Sequence, residues 1–586
     1  MSTIADDDID PITLEIIRHA LIAIPDLVDA NITRTAYSPL IFEYKDYAVG
    51  IVDAGGELVS QCRGGIPLFV TTALGDAVRD GVVIHGADGI GPGDVLVTNY
   101  VGTQGQHLNN AVMYTPVFVE DSSRPFAWFA VLVHWCDIGG LAEGSIDGAA
   151  REIYQEGLHL RSVKVVTGGK KCEDIWRTIG LNSRTPDMLL GDVEAQLAGC
   201  LLGRSQFEDL IKRYGTRAVR KAIETIWDRS DAAARDVVRA LPDGVYEAES
   251  WLDGDGVDRN RKVRIHAKVD VRGDTMSVDL SGVEEQLPGP FNSGFTGGAM
   301  TAARIAFKYL TTPGEPANSG AFRALDVICP EGRFLNARYG APMGLYSSPL
   351  PTVIDTILRA IAPACPERVS AGHFADFSLF RIYGPHPKTG KLYNMFGSGF
   401  GGWGALRDGD GPGPFKTMAH GDVLEVPVEL HEATTPVRVE ACEFIPDTGG
   451  AGTTRGAPGL RKVFRALVES KMFVVFARVT SKPWGLEGGR EGATGQAILY
   501  REGAEPRIMH KEWGVPLHPG DRIELQTGGG GGFGPPELRD PARVAEDVRQ
   551  GYVTRQAAER DYGVVVGADG RVDEAAGKVL RGLSSQ

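Results

Sequence analysis

Two apolar runs, Ala111 to Phe118 and Phe126 to Val133, flank the turn-forming sequence Asp121-Ser-Ser-Arg-Pro125. The pattern predicts a β-hairpin. With the turn centred near Asp121 to Arg124, antiparallel pairing joins positions whose numbers sum to about 244 or 245, so Asn110 faces His134. His107 lies at the mouth of the same hairpin, just before Asn110. Residues distant in sequence therefore converge at one end of rigid strands, where chemistry is commonly placed.

The rest of the chain divides by the same logic. Pro11 to Leu21 carries apolar residues at helical spacing with proline in the first turn, predicting a helix that is interrupted at Pro25 and resumes to Arg34. Asp46 to Asp53 reads as a strand ending at Gly55-Gly56, and Gly91-Pro-Gly-Asp94 turns into the strand Val95 to Thr98. Gly191 to Tyr214 and Arg217 to Ala240 are helical and close a first unit. Leu241-Pro-Asp-Gly244 marks a boundary. Strands follow at Val245 to Leu252, Lys262 to Val271 and Thr275 to Leu280, then helices within Phe291 to Tyr309 and over Leu350 to Ala362. Strands dominate from Val423 to Leu525, and Asp540 to Leu580 ends in short helices. Two glycine-dense stretches stand apart. Leu392 to Gly404 reads as a connector, and Thr527 to Pro535 as a tightly turning loop or a nest of amides for an anion.

The predicted class is α+β: several domains, strand-rich mixed sheets, a helical N-terminal part and a short helical C-terminal tail. The expected divisions are 1–240, an α+β domain with the candidate site; 241–410, a middle α+β domain; 411–538, a β-rich domain; and 539–586, the tail. At 586 residues the chain exceeds what one core supports.

Charge and cysteine usage narrow the function. Lys and Arg number 61 against 76 Asp and Glu, a net charge of −15, which argues against nucleic-acid binding because phosphate contact needs a basic surface. The seven cysteines (62, 136, 172, 200, 329, 365, 442) are scattered without a CxxC pair and read as reduced thiols. The N-terminus is acidic and has no basic segment followed by an apolar core. The longest apolar run, Phe126 to Val133, falls short of the ~20 residues that span a bilayer. The expectation is a soluble, cytoplasmic protein with no membrane partner. No GxxxxGK[ST] or strand-linked GxGxxG is present, so no standard nucleotide-phosphate cradle is expected.

Two histidines and a carboxylate suit a borderline divalent metal. In most chains, however, two histidines in a hairpin are ordinary polar residues at strand ends, and by spacing alone Asp46 at the start of a strand reads as a cap rather than a ligand.

A set of motifs spread in order over nearly the whole chain resembles the hydantoinase B/oxoprolinase family. They are Arg34-Thr-Ala-Tyr-Ser-Pro39, Asn99 to Asn110, Asp137-Ile-Gly-Gly140, Ile153-Tyr-Gln-Glu-Gly157, Asn182-Ser-Arg-Thr-Pro186, Asp447-Thr-Gly-Gly-Ala-Gly452, Gly528 to Gly534 and Asp547-Val-Arg-Gln-Gly-Tyr552. That family includes N-methylhydantoinase B subunits, the corresponding half of 5-oxoprolinase, caprolactamase, and the acetone and acetophenone carboxylases. The resemblance implies a hetero-oligomer in which a separate A-type ATPase subunit, not this chain, uses ATP to phosphorylate the carbonyl oxygen of a small-molecule substrate. The B-type subunit then completes the reaction.

The family's metal ligands, Asp, His, Asp and His, fall on Asp46, His107, Asn110 and His134. Asn110 replaces an Asp. An amide oxygen ligates without charge, so the resemblance implies a weakened divalent metal site or a metal-free one. His107 and His134 are the expected catalytic residues, with Asp137 orienting one of them. His134-Trp135 looks like the ketone-carboxylase side of the family, with Trp135 either packing an aryl substrate or belonging to the core. The favoured expectation is ATP-dependent carboxylation of an acetophenone-like ketone. The alternatives are hydrolysis of a cyclic amide (hydantoin, 5-oxoproline or lactam) and a non-catalytic scaffold subunit.

Overall fold

The computed structural model describes residues 9–70, 73–86, 88–119, 122–421 and 423–581. The N-terminal Met1 to Asp8 and Asp121 of the expected hairpin turn lie outside the described residues. The class is mixed α and β with several sheets. The chain groups into two compact units: residues 1–245, 269–347 and 419–425 form one, and 246–268, 348–418 and 426–586 the other. The expected cuts at 240, 410 and 538 instead treated the chain as successive segments.

The first unit is built on a seven-stranded sheet ordered β2-β1-β5-β4-β3-β6-β7. Its elements in chain order are α1 (Pro11–Thr35), β1 (Tyr47–Asp53), β2 (Leu58–Gln61), α2 (Ala73–His85), β3 (Val95–Thr98), β4 (Asn110–Val117), β5 (Ala127–His134), β6 (Val163–Thr167), β7 (Lys170–Lys171), α3 (Pro186–Tyr214) and α4 (Thr216–Arg239). The β4–β5 hairpin pairs Asn110 with His134 and continues in that register to Val117 with Ala127. Every residue of β4 and β5 is buried. The reason is cover on both faces: Thr115 pairs with Phe129, whose ring lies where a Cβ on Gly203 of α3 would meet it at 2.1 Å. Tyr114, next along and on the other face, presents its hydroxyl 2.0 Å from where Gly81 of α2 would place a Cβ. Strands covered on both faces read as unbroken apolar runs, as these do.

Helix α1 corrects one expectation. Asp10 caps its first turn by accepting from Ile12 and Thr13, Pro11 sits at the first position, and the helix continues through Pro25 without a break. Proline removes the N–H that would bond the Leu21 carbonyl. The Ser60 hydroxyl donates to that carbonyl at 2.7 Å instead.

Three further strands follow as expected, β8 (Gly244–Asp253), β9 (Lys262–Arg272) and β10 (Thr275–Asp279). After α5 (Thr301–Thr311), β11 (Leu325–Ile328) pairs parallel with β10 in the first unit. The second unit begins its main run with α6 (Leu350–Ile361). It holds one sheet of β12 (Leu379–Pro385), β13 (Leu392–Gly397), β16 (Ser470–Val475) and β19 (Lys511–Leu517). Its other sheet comprises β14 (Val437–Ile445), β15 (Gly459–Ala466), β17 (Gln496–Tyr500), β18 (Arg507–Met509) and β20 (Arg522–Gln526). Phe380, Met472 and Val474 from the first and Phe464, Leu499 and Ile523 from the second share a core. Helices α7 (Pro541–Gln550), α8 (Arg555–Tyr562) and α9 (Glu574–Leu580) form the expected tail.

The glycine-dense stretches are neither a connector nor an anion nest. The amides of Gly529, Gly530, Gly531 and Gly532 donate to the carbonyls of Ala493, Ala457, Gly372 and Arg490 at 2.7 to 3.1 Å. All four residues are buried. A Cβ on Gly530 would stand 1.9 Å from the Trp403 carbonyl oxygen, and one on Gly404 1.7 Å from that of Ala371. Backbones pack on backbones here at distances that leave no room for side chains. Among the described residues no helix is long and apolar enough to cross a membrane.

Candidate functional site

The site forms where β1, β5 and β4 end together. His134 closes β5 opposite Asn110, and its N–H donates to the Asp46 carbonyl at 3.1 Å, continuing the β1–β5 ladder by one residue. Directly opposed residues in antiparallel strands share a face. Asp46, His134 and Asn110 thus lie side by side on neighbouring strands, with His134 in the middle. The His134 Nδ1 is 3.6 Å from an Asp46 carboxylate oxygen.

His107 enters from the segment between the short helix Val101–Gln104 and β4. Its ring meets that of His134 edge to face, centroids 4.8 Å apart, and that of Tyr346 at 5.0 Å. Nε2 lies 2.8 Å from Asn110 Oδ1, and Nδ1 3.2 Å from the Gly344 carbonyl oxygen. The Asn110 amide is fixed by its other end: Nδ2 donates to Gln106 Oε1 at 2.9 Å and to the Tyr346 hydroxyl at 3.1 Å. Gln106 in turn is held by donating Nε2 to the Leu68 carbonyl. All these side chains are buried. Burial pushes Asp46 up to about 7 and His107 down to about 4, since each charged form loses its water.

Asp137 serves a different purpose from the expected one. Its carboxylate accepts from the amides of Gly139, Gly144 and Arg184 and from Arg184 Nη1. These bonds tie its own loop to the Asn182-to-Pro186 segment, so the group is engaged in a loop clamp and not in orienting an imidazole. Trp135 belongs to the core: it is fully buried, and its Nε1 donates to Gln196 Oε1 of α3 at 3.0 Å.

The motif loops form one continuous support. The Leu141 amide donates to the Gln155 carbonyl and the Leu158 amide to that of Ile138, joining the Asp137 loop to residues 153–157. Gly157 has φ of +125°, and a Cβ there would stand 2.7 Å from the Ile138 carbonyl oxygen, so glycine is required. The Ile153 amide donates to Gly340, and Glu156 accepts from the amides of Met343 and Gly344. Gly344 and Tyr346, which touch His107 and Asn110, are the end of that chain.

The hydantoinase B/oxoprolinase family model matches residues 10–536. The chain belongs to this family. The beta subunit of caprolactamase from Pseudomonas jessenii is 29% identical over 97% of this chain and 98% of its own length. The crystal structure of the ATP-dependent caprolactamase from that organism matches with a TM-score of 0.88 at 28% identity, covering 98% of this chain and 100% of that one. The B subunit of a putative D-/L-hydantoinase from Pseudomonas sp. strain NS671 is 28% identical over 96% of this chain and 97% of its own length. The nucleotide-free structure of acetone carboxylase has a TM-score of 0.87 at 19% identity, over 98% of this chain and 83% of that one, a likeness of fold.

The metal implied by this hydantoinase B/oxoprolinase membership can be tested against the residues present. Among the described residues no three His, Cys, Asp or Glu side chains form a ready-made metal cluster, so a site here depends on the Asn110 amide. A neutral imidazole has a single N–H, yet both nitrogens of His107 face oxygens that only accept. One contact therefore sets lone pair against lone pair. Asp46, His107, Asn110 and His134 would hold a divalent cation, and one bound there would give the opposed lone pairs of His107 and Asn110 a common partner. The donor set fits, with Asp46 as its single carboxylate.

Gln106, Glu156, Gly344 and Tyr346 join the site without being expected from sequence. Gln106 and Glu156 lie inside the quoted motifs, whereas nothing local marks Gly344 or Tyr346.

Proposed function

We propose that this chain is the catalytic B-type subunit of an ATP-dependent cyclic-amide hydrolase, acting on a lactam or hydantoin whose carbonyl oxygen an A-type ATPase subunit has phosphorylated. The observation that carries the reading is the gathering of two imidazoles with Asp46 and Asn110 at the joint end of three strands. The names of the caprolactamase and hydantoinase relatives support the substrate class and the existence of a second subunit.

Phosphorylation turns a poor electrophile into one that water can attack. His134, beside Asp46, is placed to take a proton from that water and pass it to the ring nitrogen as its bond to carbon breaks, with neutral His107 beside it to hydrogen-bond the water. The acyl phosphate left behind loses its phosphate to a second water. Asn110 and Tyr346 fix the His107 ring. A divalent metal held by Asp46, His107, Asn110 and His134 would supply an activated water.

Ketone carboxylation, favoured from His134-Trp135, becomes the second reading. Trp135, buried and bonded to Gln196 of α3, supplies no face for an aryl ketone, and the acetone carboxylase likeness concerns fold. The test is co-purification with the ATPase subunit followed by turnover assays. Ring-opened product formed with ATP from a lactam or hydantoin supports the proposal, and bicarbonate consumed with a ketone overturns it in favour of the second reading. Replacing His107 and His134 together by Ala should lower turnover by about 10²- to 10⁴-fold. Undiminished turnover would make the chain a scaffold.

A further inference from the structure

Lys45 holds a left-handed backbone, φ +59°, immediately before Asp46. A non-glycine residue takes that conformation only where its surroundings impose it, and such strain gathers at functional sites. Two constraints act here. The Lys45 amide donates to the Ile41 carbonyl at 3.2 Å and the Asp46 amide to that of Leu40 at 2.9 Å, which ends the short helix Pro39–Phe42 in a tight turn. The Lys45 ammonium reaches Asp29 of α1, 3.4 Å from Oδ2.

The same carboxylate takes the residue on the other side of Asp46. Tyr47, fully buried, donates its hydroxyl to Asp29 Oδ1 at 2.7 Å. The Thr33 hydroxyl, one turn further along α1, lies 2.7 Å from that hydroxyl and 2.9 Å from the Asp29 carbonyl oxygen, to which it donates. Asp29 therefore grips both neighbours of Asp46. In an extended chain successive side chains point to opposite faces. With Lys45 and Tyr47 drawn to α1, the Asp46 side chain between them turns the other way, toward His134, whose Nδ1 stands 3.6 Å from its carboxylate.

We infer that Asp29 is a positioning residue, which aims the Asp46 carboxylate at His134 by tying Lys45 and Tyr47 to α1. It acts through the backbone between its two partners, as outer groups that orient a ligand do. The inference rests on the role proposed for Asp46 beside His134, but its first readout is the position of one side chain and does not depend on turnover.

The test takes the full chain and its Asp29→Ala variant. Crystal structures are expected to show the Asp46 carboxylate withdrawn from His134 in the variant, the contact opening beyond about 4 Å, the reach of an ion pair. Titration with Mn²⁺ is expected to show an affinity lower by about tenfold or more. In an Asp46→Ala background the same change is expected to leave Mn²⁺ affinity alone, because no carboxylate remains to be aimed. An Asp46 that stays in place in Asp29→Ala overturns the inference, and so does an equal loss of affinity with and without the Asp46 carboxylate, which marks general loosening of the fold. If Asp29→Ala does not fold, Lys45→Met combined with Tyr47→Phe removes the same two bonds from the other side and is held to the same outcomes. A displaced Asp46 in a chain whose wild type binds no Mn²⁺ and opens no lactam leaves the positioning role standing and removes the proposed reaction.

Discussion

Asn110 and His134 face each other across the last pair of the β4–β5 ladder, and Asn110 holds His107 by its oxygen while giving its amide hydrogens to Gln106 and Tyr346. One neutral side chain thus fixes the His107 imidazole on the strand that pairs with His134. A carboxylate here would accept but could no longer donate.

Asn110→Asp should therefore separate metal affinity from stability. Without metal, the variant leaves Gln106 Oε1 unpaired and adds a second buried carboxylate to Asp46, a loss of about 1 to 3 kcal/mol in urea unfolding. With a divalent metal added, affinity should rise about tenfold or more over the wild type, a gain of at least 1.4 kcal/mol. Calorimetric titration of both chains with Mn²⁺ and Zn²⁺ checks this, and equal affinities would place the metal elsewhere.

Glu156 predicts a pH dependence of stability. Its pKa is about 8 in the native state against 4.5 ordinarily. Between these values the unfolded chain has released the proton that the native chain still binds, so stability falls as pH rises. The contribution is complete below about pH 4.5 and is lost by about pH 8, with a limiting slope of about 1.4 kcal/mol per unit. Glu156→Gln has no such group. Its melting temperature relative to wild type should climb steadily from pH 5 to pH 8, and a constant difference would contradict a buried neutral acid.

Asp137 predicts coupling through Arg184. The carboxylate accepts four N–H groups, two of them from Arg184. Asp137→Asn should cost about 2 kcal/mol, bonds to a charged partner being worth roughly 1.5 to 3 kcal/mol each. Arg184→Ala removes only one of them. A double-mutant cycle in urea should return a coupling of about 0.5 to 3 kcal/mol, whereas additive effects would dissolve the clamp.

What could be read beforehand follows the range of the interaction. Asn110 opposite His134 needed only a hairpin and its turn, a local count. Asp46 came from family resemblance, and its place beside His134 depends on β1 pairing with β5, which no short pattern encodes. Tyr346 and Gly344 reach the site from a remote loop whose anchor, Glu156, shows only in three dimensions. Pro25 predicts a break by local rules, and the Ser60 hydroxyl that takes up the Leu21 carbonyl is a long-range partner that those rules do not contain. Asp137 carries no local sign that its partner is Arg184, 47 residues further on, so its role in a loop clamp shows only in three dimensions.

The glycine core supplies the last prediction. Gly530 donates its amide to Ala457, and a Cβ would stand 1.9 Å from the Trp403 carbonyl oxygen, far inside contact distance and against backbone that cannot rotate away. Gly530→Ala should therefore cost at least about 3 kcal/mol, the upper range of overpacking, seen as a lower urea midpoint and reduced folded yield. Gly409, where an added Cβ meets nothing within 4 Å, is the control: its Ala variant should stay within about 0.5 kcal/mol of wild type. An anion nest at 527–535 predicts the opposite pattern, a Gly530→Ala chain that folds normally and loses affinity for phosphate. Equal stability of the two alanine variants would mean that these backbones do not approach as closely as the carbonyl distances require.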